Sequence, residues 1–147
     1  MKKIEFEPIG IIHSPLKSLG GNPVQPLFSD IEGTIEIFEE YTDGLKDLEG
    51  FEYIICLTYF HLVKPPVALQ STTHWDNVKH GIFAIRSPWR PNPIGFSILK
   101  LLGREKNILR VKNLDIIDQT PVLDLKPFIP SIDNRETEKI GWIKDKF

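Results

Sequence analysis

The stretch Gly81-Ile-Phe-Ala-Ile-Arg-Ser-Pro-Trp-Arg-Pro-Asn-Pro-Ile-Gly-Phe-Ser97 decides how the chain is read. An apolar run, Ile82 to Ile85, ends abruptly at Arg86. The next residues, up to Gly95, include Pro88, Pro91, Pro93 and a second arginine, Arg90. Each proline fixes its own φ and restricts the residue before it, here Ser87, Arg90 and Asn92. The loop is therefore stiff and continues neither as helix nor as central strand. Guanidinium groups on a stiff loop lose little entropy on binding, and their planar forks suit a carboxylate or other anion. Composition alone leaves a second reading open, a proline-rich crossover with solvated arginines.

Strand signals lie on both sides of this loop. Phe6 to His13 is rich in isoleucine but interrupted by Pro8 and Gly10, as in an edge or bulged strand. Gly33 to Glu39 alternates, with Ile35 and Ile37 on one face. Phe51 to Phe60 is nearly continuous apolar sequence and predicts a strand buried on both faces. Further strands are expected over Gly81 to Arg86, Ser97 to Gly103, Ile108 to Leu114 and Val122 to Phe128. One short helix is expected from Asp43 to Glu49, capped by Thr42 or Asp43 and stopped by Gly50. Val63 to Lys79 reads as irregular surface, and Leu16 to Ser29 as a long loop. There is no strand–helix–strand rhythm and no Gly-x-Gly-x-x-Gly, which excludes a dinucleotide-binding sheet. The expected fold is all-β: one antiparallel barrel of about seven strands with one short helix, forming a single domain over residues 1–147.

A net charge of −2 gives no global drive toward nucleic acid, so RNA binding would need a local patch. No long apolar segment or signal-peptide pattern is present, which predicts a cytoplasmic protein without a membrane span. Cys56, the one cysteine, sits in Tyr53-Ile-Ile-Cys-Leu57 and reads as core packing. His74, Asp76 and His80 match no strong zinc spacing, so no metal is expected. Neither Gly-x-Ser-x-Gly, a P-loop nor His-Glu-x-x-His occurs.

The second unusual stretch is Leu114-Asp-Ile-Ile-Asp-Gln-Thr-Pro-Val-Leu-Asp-Leu-Lys-Pro127. Three aspartates stand among large apolar residues, so some must face inward or line a cleft. Asp118-Gln119-Thr120-Pro121 has turn composition, where an aspartate either bonds backbone amides or accepts from a ligand. His61, at the end of the long apolar strand, and His13, before Ser14-Pro15, occupy strand ends, where clefts form.

Together, Ile9-Gly-Ile-Ile-His-Ser-Pro15, the proline loop and the Leu114–Pro127 stretch resemble the TsaA-like family, also called TrmO, in order and over nearly the whole chain. The resemblance implies a β-barrel methyltransferase that uses S-adenosyl-L-methionine. Its implied acceptor is the exocyclic N6 amine of threonylcarbamoyladenosine, next to the anticodon of a threonine-type tRNA. It also implies a homodimer. Carried over by matching motifs, the cofactor-binding positions are Pro23, Val24, Gln25, His61, Leu62, Arg86, Phe96, Ile117, Asp118, Gln119 and Thr120. Asp118 and then His61 are the candidate proton acceptors. Arg90, Asn92 and Lys126 are the candidate tRNA contacts. Two positions depart from the family pattern: Val24 replaces the arginine of a Pro-Arg-Gln loop, and Gln119 replaces the glycine of an Asp-Gly-Thr-Pro turn. If that turn position needs a positive φ, Gln119 carries strain there. The chain ends soon after Trp142, resembling short archaeal forms without the C-terminal domain of bacterial members. The alternatives are a methyltransferase for a small metabolite or another RNA, and a cofactor-binding module without turnover.

Overall fold

A computed structural model describes residues 1–18 and 29–147. Among these residues there are eight strands: β1 (Gly10–His13), β2 (Glu32–Ile37), β3 (Tyr53–Tyr59), β4 (Gln70–Thr73), β5 (Asp76–Gly81), β6 (Ile94–Glu105), β7 (Ile108–Lys112) and β8 (Pro121–Pro127). Six close into an antiparallel barrel in the order β1-β2-β7-β6-β3-β8, while β4 and β5 form a separate hairpin. The all-β barrel expected from the sequence is present.

The chain divides into two compact units. The first, Met1–Leu62 with Ile94–Phe128, holds the barrel; the second comprises Val63–Pro93 with Ile129–Phe147. In the first unit, alternation fills the barrel interior. Ile12, Ile35, Ile54, Leu99, Leu109, Val111, Leu114 and Val122 are fully buried. Cys56 is buried with them; its burial, reinforced by Asp115 and Asp124, pushes its thiol pKa up, so it packs rather than reacts. Gly33 lets β2 pass close to β1, because a Cβ there would run into the Leu114 side chain and the His13 carbonyl.

Register places the strand ends. His13 ends β1 opposite Thr34, Pro121 begins β8 opposite Ile11, and Tyr59 ends β3 opposite Ile94, where β6 begins. One rim of the barrel therefore gathers the ends of β1 and β3 with the starts of β6 and β8.

Several expectations change. Phe6 to Pro8 lies outside the sheet, and the first strand begins at Gly10. The expected helix over Asp43 to Glu49 is two 3-10 turns, Glu39–Leu45 and Leu48–Gly50. Asp47, at φ 71°, interrupts the segment, and Thr42 Oγ1 donates to the Glu39 carbonyl rather than capping a helix. The α-helix that does form is one turn, Pro130–Asp133 (α1), started by its proline; the Asp133 carboxylate accepts from the Ile129 amide at 2.7 Å.

In the second unit, Val63 to Lys79 is not irregular throughout, since it contains β4 and most of β5. Nor is Gly81 to Arg86 a strand. Ile82–Ala84 is a 3-10 turn, with Ile82 and Ile85 buried three residues apart and Phe83 between them 79% exposed. A period of three buries one face of such a turn, whereas a strand would have alternated.

Candidate functional site

The site builds from the barrel rim. After β7, the chain runs through Leu114 to Ile117 into the turn at Asp118 and Gln119, and β8 begins at Pro121. Thr120 closes the turn: its amide and hydroxyl both reach the Ile117 carbonyl, at 3.3 and 2.7 Å. Gln119 has φ 68°, a left-handed conformation that glycine adopts without strain.

The turn is laced to the segment that follows β1. Asp118 Oδ1 accepts from the Ser14 amide at 2.9 Å, and Oδ2 accepts from Lys17 Nζ at 2.8 Å. The Asp118 amide donates to the Leu16 carbonyl at 2.7 Å, and the Gln119 amide to the Ile12 carbonyl at 2.8 Å. Lys17 Nζ also reaches the Ser14 carbonyl at 2.9 Å. The hydrogen bond from Lys17, followed by that from the Ser14 amide, holds the Asp118 carboxyl down at about 2. Asp118 is thus an anion at neutral pH: a strong hydrogen-bond acceptor and a weak base.

Asp115 has the opposite environment. Burial raises its carboxyl to about 6, against the Ser97 hydroxyl, which donates to Oδ1 at 2.8 Å. The sequence implied that some of these aspartates face inward, and Asp115 is one that does. Its partner Ser97 carried no signal beyond an inward position on β6. Lys17 went unnoticed too, since a lysine two residues after Ser-Pro reads as ordinary solvated charge.

Phe60, His61 and Leu62 follow β3 at the same rim. Gly95, on β6, faces Thr58 and Phe60, and a Cβ there would clash with the Thr58 hydroxyl and the Phe60 ring. Thr58 Oγ1 is buried with no hydrogen-bond partner among the described residues. On the outer face of the same strand pair, Leu57 lies opposite Phe96 and Tyr59 opposite Ile94. Tyr59, Ile94 and Phe96 are each more than 40% exposed, so this outer face is an apolar ladder open to a ligand or partner. Lys126 lies toward the other end of β8, opposite Ile55, and pairs with Asp124 at 2.9 Å.

The structure thus brings Ile117, Asp118, Gln119, Thr120, His61, Leu62 and Phe96 to one rim and sets Lys126 apart. Pro23, Val24 and Gln25 lie outside the described residues. A concavity of about 320 Å³ in the barrel unit, lined by Ile37, Tyr41, Leu45, Phe51 and Pro127, contains none of the expected residues and lies at the opposite rim. The described part of the expected site lies at the barrel rim, away from this concavity. It offers apolar area for a purine or a methionyl chain and a fixed anion for hydroxyl or amine donors, which fits S-adenosyl-L-methionine.

Arg86, Arg90 and Asn92 belong to the second unit. Arg90 Nη1 donates to the Ile85 and Ser87 carbonyls at 3.1 and 3.3 Å, and the Trp89 amide donates to Ser87 Oγ at 3.2 Å. The arginine thereby stiffens the loop that its neighbouring prolines already restrict. Among the described residues, no group of three or more His, Cys, Asp or Glu is placed to hold a metal ion, and no helix is long and apolar enough to cross a membrane.

The chain is similar to known proteins in sequence and in fold. Residues 11–134 match the model of the tRNA-methyltransferase O N-terminal domain. A probable S-adenosyl-L-methionine-binding protein of Pyrococcus abyssi is 48% identical over 140 residues, covering 95% of this chain and 76% of the relative. The Escherichia coli tRNA (adenine(37)-N6)-methyltransferase is 35% identical, covering 88% of this chain but only 60% of the enzyme. The crystal structure of TrmO from Pseudomonas aeruginosa superposes with a TM-score of 0.81 at 31% identity, covering 98% of this chain and 63% of that one.

Proposed function

The chain belongs to the tRNA-methyltransferase O N-terminal domain family, and from that premise we propose that it methylates an exocyclic adenine amine in tRNA with S-adenosyl-L-methionine. The acceptor we infer is N6 of threonylcarbamoyladenosine beside the anticodon. The observation that carries the reading is the rim, one end of the barrel that holds the Asp118 turn, His61 and the exposed Phe96, in a chain 35% identical to a tRNA adenine-N6 methyltransferase.

The bound cofactor would supply an electrophilic methyl group on a sulfonium. The protein's share of the chemistry is to orient, desolvate and manage one proton. Phe96 and its apolar neighbours cover the purine or the methionyl chain. Asp118, kept ionised by Lys17 and the Ser14 amide, accepts a hydrogen bond from a donor on the cofactor or the acceptor amine. Its low pKa makes Asp118 a weak proton acceptor, which leaves His61, the second candidate, or solvent to take the proton. A carbamoyl substituent on the nitrogen makes that proton more acidic and lessens the need for a strong base. The family resemblance assigns Arg86 a cofactor role and implies a homodimer.

A local basic excess supports an RNA partner. Between Val63 and Pro93, Lys64, Lys79, Arg86 and Arg90 stand against Asp76 as the sole acidic residue. Arg90 and Asn92 are the proposed contacts there, with Lys126 a third from the barrel.

The test is calorimetry with S-adenosyl-L-methionine, followed by methyl transfer to tRNA with and without the threonylcarbamoyl group. Micromolar binding is expected, with Arg86→Ala and Asp118→Ala each weakening it about tenfold or more, equivalent to a charge-assisted hydrogen bond. Binding without transfer to either tRNA would leave a cofactor-binding module, the reading favoured by the name of the Pyrococcus abyssi relative. No binding at all would remove both readings.

A further inference from the structure

The segment from Gly141 to Phe147 is held by three aromatic and polar contacts within the second unit. A 3-10 turn, Gly141–Ile143, opens on Gly141 at φ +68°. The Trp142 ring stacks on His80 with centroids 3.8 Å apart and planes 16° from parallel. His80 Nε2 in turn lies 3.1 Å from both carboxylate oxygens of Asp76. Further along, the Phe147 ring meets Trp75 at 5.1 Å. One face of the hairpin is thus covered by aromatic side chains from the tail.

The contact with the greatest consequence is at the other edge of Trp142, where Nε1 donates to the Ala84 carbonyl at 2.9 Å. Ala84 ends the Ile82–Ala84 turn and stands two residues before Arg86. Two other fastenings act on the same short segment. The Ile82 amide donates to the Leu69 carbonyl at 2.9 Å, and Arg90 Nη1 takes up the Ile85 carbonyl. Residues on either side of Ile85 are therefore tied, and the turn exposes Phe83 rather than burying it. A 3-10 turn of three residues has little stability of its own. Among the described residues, the Ala84 carbonyl at its end accepts its hydrogen bond from this indole, so the turn depends on Trp142.

We infer that Trp142 is a positioning residue: with His80 and Asp76 it forms a clasp that fixes the Ile82–Ala84 turn and thereby sets the direction in which Arg86 leaves the chain. This rests on the reading of Arg86 as a cofactor-binding residue. The indole N–H and the stacking face contribute separately, which makes the clasp dissectable. Trp142→Phe keeps a ring on His80 and removes the donor; Trp142→Ala removes both.

Two measurements on the full chain test it. In the cofactor-free protein, amide hydrogen exchange over Ile82 to Ser87 is expected to accelerate about a hundredfold in Trp142→Ala and about tenfold in Trp142→Phe, with β3 and β6 unchanged. Titration with S-adenosyl-L-methionine is expected to show Kd weakened about tenfold by Trp142→Ala and less by Trp142→Phe. The double variant Arg86→Ala/Trp142→Ala should bind no more weakly than Arg86→Ala alone, because the clasp acts through that arginine. Additive losses, or unchanged exchange over Ile82 to Ser87, would overturn the positioning role while leaving Arg86 a ligand contact. If Arg86→Ala itself leaves Kd unchanged, the reading of Arg86 falls, and the positioning role falls with it.

Discussion

Asp115 and Asp118 stand three residues apart, and the two regions they enter, the barrel interior and its rim, treat a carboxylate in opposite ways. Asp115 meets apolar wall and one serine hydroxyl, and burial lifts its pKa to about 6. Asp118 meets an amide and an ammonium, which bring its pKa down to about 2. The interior is specified by exclusion of water, and the rim by hydrogen bonds that cross between β1 and β8. A substitution inside should therefore cost stability through lost packing. One at the rim should act through backbone conformation and ligand contacts.

The largest expected effect lies inside. Leu99 is fully buried on β6 among Ile12, Ile54 and Leu109. Leu99→Ala should destabilise the barrel by about 2–5 kcal/mol, the range for leucine deletions in close-packed cores. Urea unfolding followed by tryptophan-independent circular dichroism measures it. A loss below about 1 kcal/mol would mean that the interior collapses around the gap and is not close-packed at this level.

Next is the charge that the interior tolerates. The folded state holds the Asp115 proton up to about pH 6, while an unfolded aspartate releases it near 4. Folded Asp115 thus binds more protons across that window, so stability falls as pH rises from about 4 to 6 and stays lower above it. Asp118 works with the other sign: its contribution is present above about pH 4 and is lost as pH falls toward 2. Asp115→Asn removes the first dependence and keeps an acceptor for Ser97. It should be near neutral at pH 4 and more stable than the parent by about 3 kcal/mol at pH 7.5, from the size of the shift. A stability difference that is flat with pH would show that the interior does not desolvate this carboxylate.

The same contrast explains what could be read in advance. The barrel strands were legible because burial writes alternation into sequence: Ile35 and Ile37 on β2, and the near-continuous run from Tyr53 to Tyr59 on β3. The hairpin was not, because Gln70-Ser-Thr-Thr73 and Asp76-Asn-Val-Lys-His80 hold almost no apolar period; their pairing is covered by Trp142 and Phe147 from a distant part of the chain. Ile82 to Ile85 misled for the converse reason, since four apolar residues in a row fit either a strand or a turn with a period of three. At the site, motif order pointed to the Asp118 turn and His61. It missed Lys17, whose role depends on a contact made across a hundred residues of chain.

The smallest expected effect is at the rim, and it separates backbone from side chain. Gln119 sits at φ 68°, and among the described residues its amide side chain makes two long contacts, 3.4 Å to His13 Nδ1 and 3.4 Å to Asp118 Oδ2, both exposed. Contacts of that length in solvent contribute little, so what Gln119 costs the fold is its conformation. A left-handed residue with a Cβ is disfavoured by roughly 1 kcal/mol, a penalty that glycine escapes. Gln119→Ala keeps the penalty and drops the contacts, while Gln119→Gly drops both and adds freedom to the unfolded chain. The glycine variant should therefore be the more stable of the two by about 0.5–1 kcal/mol in urea unfolding, with Asp118 still bonded to Ser14 and Lys17. If alanine proves the more stable, the turn relaxes out of its left-handed conformation in solution, and the hydrogen bonds that fix Asp118 at the rim must then be rearranged as well.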